Sequence, residues 1–185
     1  MSGLLVICAD ASSLAGVGHV IRSIALGQAW AAAGGRVAFA TEPGNPLVSR
    51  RLECEGWETV IIPNPQDLEI FVPTLGQLSD NCECDRCWVL CDGYHFDQVY
   101  HRAVRDTGCR LVIVDDFCHL PEYEADVLLN QNITASGLEY CCLTAARELL
   151  GTHYALDAIV MESCAVNGPT NHALSDGRST ECAAD

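Results

Sequence analysis

LLVICADASSLAGVGHVIRSIALGQAW, residues 4–30, is the stretch whose reading decides the fold. Leu4-Leu5-Val6-Ile7 is an unbroken apolar run, as expected of a buried strand. Ala9-Asp10-Ala11-Ser12-Ser13 is small and polar and reads as a loop. From Val20 the apolar spacing turns helical, through Val20, Ile21, Ile24, Ala25 and Ala29, with Trp30 near the end. Between loop and helix stands Gly16-Val17-Gly18-His19. Glycines let a backbone approach a ligand closely, and a helix N-terminus attracts anionic groups. The same positive helix end disfavours imidazolium, so His19 is expected to stay neutral and able to accept a proton. The pattern reads as one edge of an active site.

Working outward, strand and helix patterns alternate. Val37–Ala40 reads as a strand after the Gly34-Gly35 helix stop, and 46–55 as a short helix. Thr59–Ile62 is a third strand, closed by Pro63. Residues 67–78 favour a helix, which Pro73 is expected to interrupt. Cys87–Cys91 is a fourth strand and 97–107 a helix capped by Asp97. Arg110–Val114 and Ala125–Leu129 are the fifth and sixth strands. The alternation predicts an α/β domain with a mostly parallel, Rossmann-like sheet and helices on both faces.

Polar residues gather in one place. Asp10, Asp92, Asp115, Asp116, Asn130 and Asn132 all follow the carboxyl ends of expected strands, the edge that forms the ligand crevice in open α/β sheets. Asp and Asn also serve as caps and turn formers, so each alone has a bland reading. Their recurrence at four strand ends points to a site.

Composition narrows the function classes. The 185 residues suffice for one core, and 49% of them are hydrophobic. No apolar run is long enough for a membrane span, and no signal-peptide pattern is present, so the expected location is cytoplasmic. The net charge is -15, and every basic residue is arginine. Such a field argues against nucleic acid and anionic membranes as partners. Arg50-Arg51 reads as a solvated helix face. There is no Gly-Lys-Ser/Thr phosphate loop and no complete dinucleotide fingerprint, so no nicotinamide or ATP cofactor is expected.

The chain holds 12 cysteines. Cys8, Cys109 and Cys118 lie in or beside strand patterns and read as small buried hydrophobes. Cys82, Cys84, Cys87 and Cys91 are close enough in sequence to suggest zinc. Cys87–Cys91 reads as a strand, however, and paired knuckles are missing, so no metal is expected. His101, His153 and His172 lack partners at ligand spacing and read as structural or surface residues, and Trp57 and Trp88 as core.

Several segments together resemble the UDP-sugar hydrolase family of pseudaminic acid biosynthesis, over most of residues 3–156. They are Ala9–Ser13, Gly16–Ser23, Asp92–Asp97, Val114–Asp116, Leu128–Asn132 and Leu149–Leu156. Members of that family hydrolyse UDP-2,4-diacetamido-2,4,6-trideoxy-β-L-altropyranose. The resemblance implies the N-terminal lobe of a GT-B architecture, two Rossmann-like halves facing across a cleft. It implies that His19 is a general base for water attack at the anomeric carbon, with inversion and loss of UDP. Tyr94 matches a cleft tyrosine that bonds sugar or water. Asp10 orients the base or binds sugar, and Gly16 and Gly18 leave room for substrate. Arg22, Asp92, Asn130 and Asn132 complete the expected substrate-binding set.

The family also carries a second, nucleotide-binding domain, and no counterpart is found in this sequence. The resemblance fades after Leu156, so residues 1–156 are expected to form the lobe and 157–185 a divergent, poorly ordered tail. Without the second domain the activity of the isolated chain is in question. Two alternatives are a GT-B glycosyltransferase fragment and a non-catalytic, metal-stabilised module.

Overall fold

The computed structural model of the chain describes residues 3–11, 18–43, 45–64, 66–80 and 86–156. Seven strands form one all-parallel sheet. They are β1 (Leu4–Ala9), β2 (Arg36–Thr41), β3 (Glu58–Ile61), β4 (Cys87–Asp92), β5 (Arg110–Val114), β6 (Val127–Asn130) and β7 (Arg147–Leu150). Among the described residues four α-helices accompany them: α1 (Gly18–Ala32), α2 (Pro46–Glu55), α3 (Leu68–Ser79) and α4 (Gln98–Asp106). The strand order is β3-β2-β1-β4-β5-β6-β7. The fold is the expected Rossmann-like α/β class.

β1 is central because it is apolar on both sides. Leu4, Val6 and Cys8 face a core built with Phe71 and Leu75 of α3 and Tyr100 and Val104 of α4. Leu5 and Ile7 face the other core, with Val20 and Ile24 of α1 and Val48 and Leu52 of α2. Asn45 caps α2 through its side-chain oxygen, and Gly56 closes it in the left-handed region at φ 68°. Gly27 lets α1 lie close on the sheet. A Cβ there would stand 2.7 Å from the Trp57 ring and 2.9 Å from Ile7 Cδ1. Trp57 and Trp88 pack against this core from partly buried positions.

Several expectations need correction. α3 runs through Pro73 without a break. Its apolar face, Phe71, Leu75 and Leu78, is buried, and that packing outweighs the one backbone bond that proline removes. β3 and β6 are shifted by one or two residues from their expected bounds, since an apolar run does not mark where ladder bonding starts. β7 had no sequence expectation. Its strand is only four residues long, and its pairing with β6 (Val127↔Arg147 to Asn130↔Leu150) is what makes it a strand. The strand–helix alternation also ends at β5, because the links from β5 to β6 and from β6 to β7 contain no α-helix.

Arg51 is not a solvated residue. Its side chain is mostly buried and pairs with Glu55 at 2.6 Å, while Gln28 of α1 donates to the same carboxylate at 3.0 Å. Cys8 and Cys109 are buried as expected, whereas Cys118 is only partly buried and sits in a loop with φ 59°. Cys87 and Cys91 are buried in the same core, four residues apart along β4. That spacing is about 13 Å in a strand, too far for one metal ion. Cys82, Cys84, Gly16, His172 and the expected tail at 157–185 lie outside the described residues. No helix of the described residues is long and apolar enough to cross a membrane.

Candidate active site at the switch point of the sheet

Strand order reverses between β1 and β4, and a crevice opens beyond the carboxyl ends of strands at such a point. The register Ala9↔Asp92 puts the end of β4 beside the end of β1. His19 enters from the first turn of α1 and is largely buried. Asp92, the last residue of β4, is fully buried beneath it.

The Asp92 carboxylate is met by three side chains. His19 Nδ1 lies 2.6 Å from Oδ1. Arg22 donates from Nε to Oδ2 at 2.6 Å and from Nη2 to Oδ1 at 2.5 Å. Ser23 Oγ donates to Oδ2 at 3.0 Å. His19, Arg22 and Ser23 all stand on the first turns of α1, so one helix presents three donors to one strand end. Arg22 then reaches on to Asp116, with Nη1 2.8 Å from Oδ1 and Nη2 3.0 Å from Oδ2. Both Nη2 hydrogens are therefore directed to carboxylates, although Nη2 also lies 2.9 Å from His19 Nδ1. The hydrogen count assigns a proton on His19 Nδ1 to its bond with Asp92, so the neutral form of this imidazole carries its lone pair on Nε2. A neutral imidazole in that tautomer is a proton acceptor.

Tyr94 lies across this pair. Its ring meets the His19 ring edge-on, with centroids 5.2 Å apart, and its hydroxyl donates to Asp116 Oδ2 at 2.7 Å. Burial and the neighbouring Asp116 carboxylate push the Tyr94 hydroxyl up to about 12, so it remains a donor near neutral pH. Burial by itself would raise Asp116, but the Arg22 guanidinium, the Tyr94 hydroxyl and the Asn132 amide outweigh it and hold that carboxyl below its ordinary range. Burial opposes the charge of Arg22 as well, and Asp92 and Asp116 more than restore it.

The other expected residues fall into three groups. Asn132 joins the cluster by donating from Nδ2 to Asp116 Oδ1 at 2.9 Å. Asn130 is buried and engaged internally, with Nδ2 on the Tyr140 hydroxyl at 2.8 Å and Oδ1 on the Asn132 N–H at 2.9 Å. Asp10 stands beside the site but faces His95 at 3.5 Å, so the carboxylate that orients His19 is Asp92. At Gly18, the first residue of α1, no atom lies within 4 Å of where a Cβ would project. Arg22 directs four of its five N–H groups at Asp92 and Asp116 and acts as a strut between them.

Sequence reasoning missed two parts of the site. Asp116 was visible only as one of several strand-end carboxylates, yet it joins Arg22, Tyr94 and Asn132. Asp115 is a second buried hub. It accepts from the backbone N–H groups of Phe117 at 2.8 Å and Cys118 at 2.5 Å. It also accepts from the Tyr123 and Tyr140 hydroxyls at 2.8 and 2.9 Å, and is paired with His119 Nδ1. Burial would raise Asp115, but His119, the Cys118 N–H and the two tyrosines hold it far below the usual carboxylate range. The four-residue spacing from Asp115 to His119 was the available signal. Among the described residues, no group of three or more His, Cys, Asp or Glu side chains is placed to hold a metal ion.

The arrangement can take a proton from a small nucleophile at His19 Nε2, beside a tyrosine hydroxyl and an amide that both donate to Asp116. No protein-family model matches this chain, and no curated protein matches it either.

Proposed function

We propose that the chain is the base-bearing lobe of a UDP-sugar hydrolase. Water loses a proton to His19 Nε2 as its oxygen attacks the anomeric carbon, the bond to UDP breaks, and the configuration inverts. The observation that carries this reading is the His19–Asp92 pair at 2.6 Å, at the switch point of a parallel sheet. Asp92 fixes the tautomer that exposes a lone pair, and a positioned neutral imidazole is a suitable base near neutral pH. The family resemblance supplies the substrate class: UDP-2,4-diacetamido-2,4,6-trideoxy-β-L-altropyranose.

Arg22 is already committed to two carboxylates, which supports a design in which a second lobe meets most of the diphosphate charge. The second lobe of the resembling family has that role. A transferase would need the same base to serve an acceptor hydroxyl in place of water, so product analysis separates the two.

The test is UDP release from this nucleotide sugar by the purified chain, with the anomeric product read by NMR. Slow release with inversion is expected, because the lobe that meets the diphosphate in the resembling family is not supplied, and His19→Ala should lower it by about 10²–10⁴-fold. A folded His19→Ala variant that turns over at the wild-type rate would remove His19 from the mechanism. Absence of release by the well-folded wild-type chain would count against hydrolysis by this lobe.

A further inference from the structure

Four of the buried cysteines stand in two cross-strand pairs on one face of the sheet. Cys8 of β1 and Cys91 of β4 are register partners. Cys87 and Cys109 each stand one residue before the register pair Trp88↔Arg110 of β4 and β5. All four belong to the core that α3 and α4 cover, so the two members of each pair project to the same side. Neighbouring strands lie about 4.8 Å apart, within the roughly 4.4–6.8 Å between Cα atoms that a disulfide spans.

The pairs differ in their surroundings. Cys8 and Cys91 are sealed inside the core, and burial pushes Cys8 up to about 12 and Cys91 well above the ordinary thiol range. The thiolate is the nucleophile of thiol chemistry, and this pair forms none near neutral pH. Cys87 opens β4 and Cys109 immediately precedes β5, at the edge of the sheet opposite His19 and Asp92. Cys109 keeps 8% of its surface exposed. A hydrogen bond from the Cys87 thiol, opposed by burial and helped by Thr107, brings the Cys109 thiol down to about 7. The Cys109 N–H also donates to the Thr107 hydroxyl at 3.4 Å, just after Gly108 turns the chain at φ 86°.

We propose that Cys87 and Cys109 form a reversible oxidation site that reacts with a hydroperoxide, whereas Cys8 and Cys91 stay reduced. With hydrogen peroxide, the Cys109 thiolate attacks one oxygen and the O–O bond breaks. Hydroxide leaves, takes up the proton that Cys109 released, and Cys109 becomes a sulfenic acid. Cys87 then loses its proton and forms the S–S bond as the sulfenic oxygen departs as water. Two thiols lose two electrons and two protons, and the peroxide becomes two waters. A dithiol reductant reverses the change. The crosslink ties the start of β4 to the start of β5 across α4, away from the edge that carries His19.

The site is independent of the hydrolase reading, and its test needs no nucleotide sugar. The folded, reduced chain is treated near pH 7 with an equimolar dose of hydrogen peroxide, unfolded in excess N-ethylmaleimide and digested for mass spectrometry. The expected product is a Cys87–Cys109 linked peptide that lacks two hydrogens and is released by dithiothreitol, with Cys8 and Cys91 recovered labelled. A Cys8–Cys91 disulfide at the same dose, Cys109 joined to Cys82, Cys84 or any other cysteine, or both Cys87 and Cys109 recovered labelled overturns the proposal. In Cys87→Ser, Cys109 is expected to stop at the sulfenic acid, which dimedone captures. Its alkylation by iodoacetamide near pH 7 should slow about 10-fold, because the thiol that stabilises the thiolate is gone. Cys91→Ser should leave both the disulfide and the alkylation rate unchanged. A folded Cys87→Ser chain with wild-type alkylation of Cys109 and no dimedone adduct removes Cys87 from the site. If that variant fails to fold, the peptide map of the wild-type chain decides alone.

Discussion

At the residue scale, the buried carboxylate of Asp92 carries the heaviest electrostatic duty. It is fully buried and orients a histidine while pairing with an arginine. Breaking a buried pair by neutralising one partner leaves the other charge uncompensated. Asp92→Asn is therefore expected to cost about 3 kcal/mol of stability, measured by urea unfolding. The same change removes the carboxylate that holds His19 in its Nδ1–H tautomer, so UDP release should fall even under conditions where the variant is fully folded. Tyr94→Phe tests the hydroxyl alone. It keeps the ring contact with His19 and deletes the bond to Asp116, and is predicted to affect KM or kcat without lowering the melting temperature appreciably.

His101 gives a pH prediction. Its ring is fully buried, both nitrogens lack partners, and burial first, then the neighbouring His119, push it down to about 4 from 6.5. A histidine with a lowered folded-state value binds its proton more readily when unfolded. Stability should thus be intact above about pH 6.5 and fall as the pH drops from there towards 4, by up to about 3 kcal/mol from this one residue. His101→Leu is expected to flatten that part of the stability–pH curve. An unchanged slope in the variant would assign the acid sensitivity elsewhere.

At the element scale, α1 matters most, because it supplies His19, Arg22 and Ser23 and lies on the sheet at Gly27. Gly27→Ala places a methyl group 2.7 Å from the Trp57 ring and 2.9 Å from Ile7, so the helix or the tryptophan must shift. Overpacking of this kind costs about 1–3 kcal/mol, outweighing the better helix propensity of alanine. Thermal unfolding should show the loss. α3 offers the opposite case. Pro73 sits in its interior and withholds one backbone donor, so Pro73→Ala is expected to raise stability by about 1–2 kcal/mol after allowing for the freer unfolded chain. No change in activity should accompany it, since α3 contributes none of the site residues.

At the scale of the whole molecule, the sheet is most secure at its centre. β1 is bonded on both sides, to β2 and β4, and buried on both faces. β7 is bonded only to β6 and is at most partly buried. Hydrogen exchange should therefore protect β1 and β4 up to the global unfolding free energy, and release β7 amides through local opening. Equal protection of β7 and β1 would contradict that ordering.

Much of this architecture was legible in the sequence. Residues 4–7, 37–40, 87–91 and 111–114 are apolar runs that bury on both faces, and such runs read as central parallel strands. The gathering of Asp and Asn at their ends, and the histidine opening the first helix, follow from chain connectivity, because successive parallel strands end at the same edge. The sequence by itself therefore determined the fold class and the edge at which chemistry is expected. It did not determine who pairs with whom. Asp10 and Asp92 are equivalent in the chain as strand-end carboxylates, and the choice of Asp92 as the partner of His19 depends on α1 lying over β4 with a separation of 73 residues. β7 is a strand only because β6 offers an open edge. The Asp115–His119 pair is local in the chain, but the Tyr94 ring beside it arrives from the loop after β4. Local pattern fixes burial and period, whereas charge pairing and hydrogen bonding between distant segments exist only after the sheet has brought their ends together.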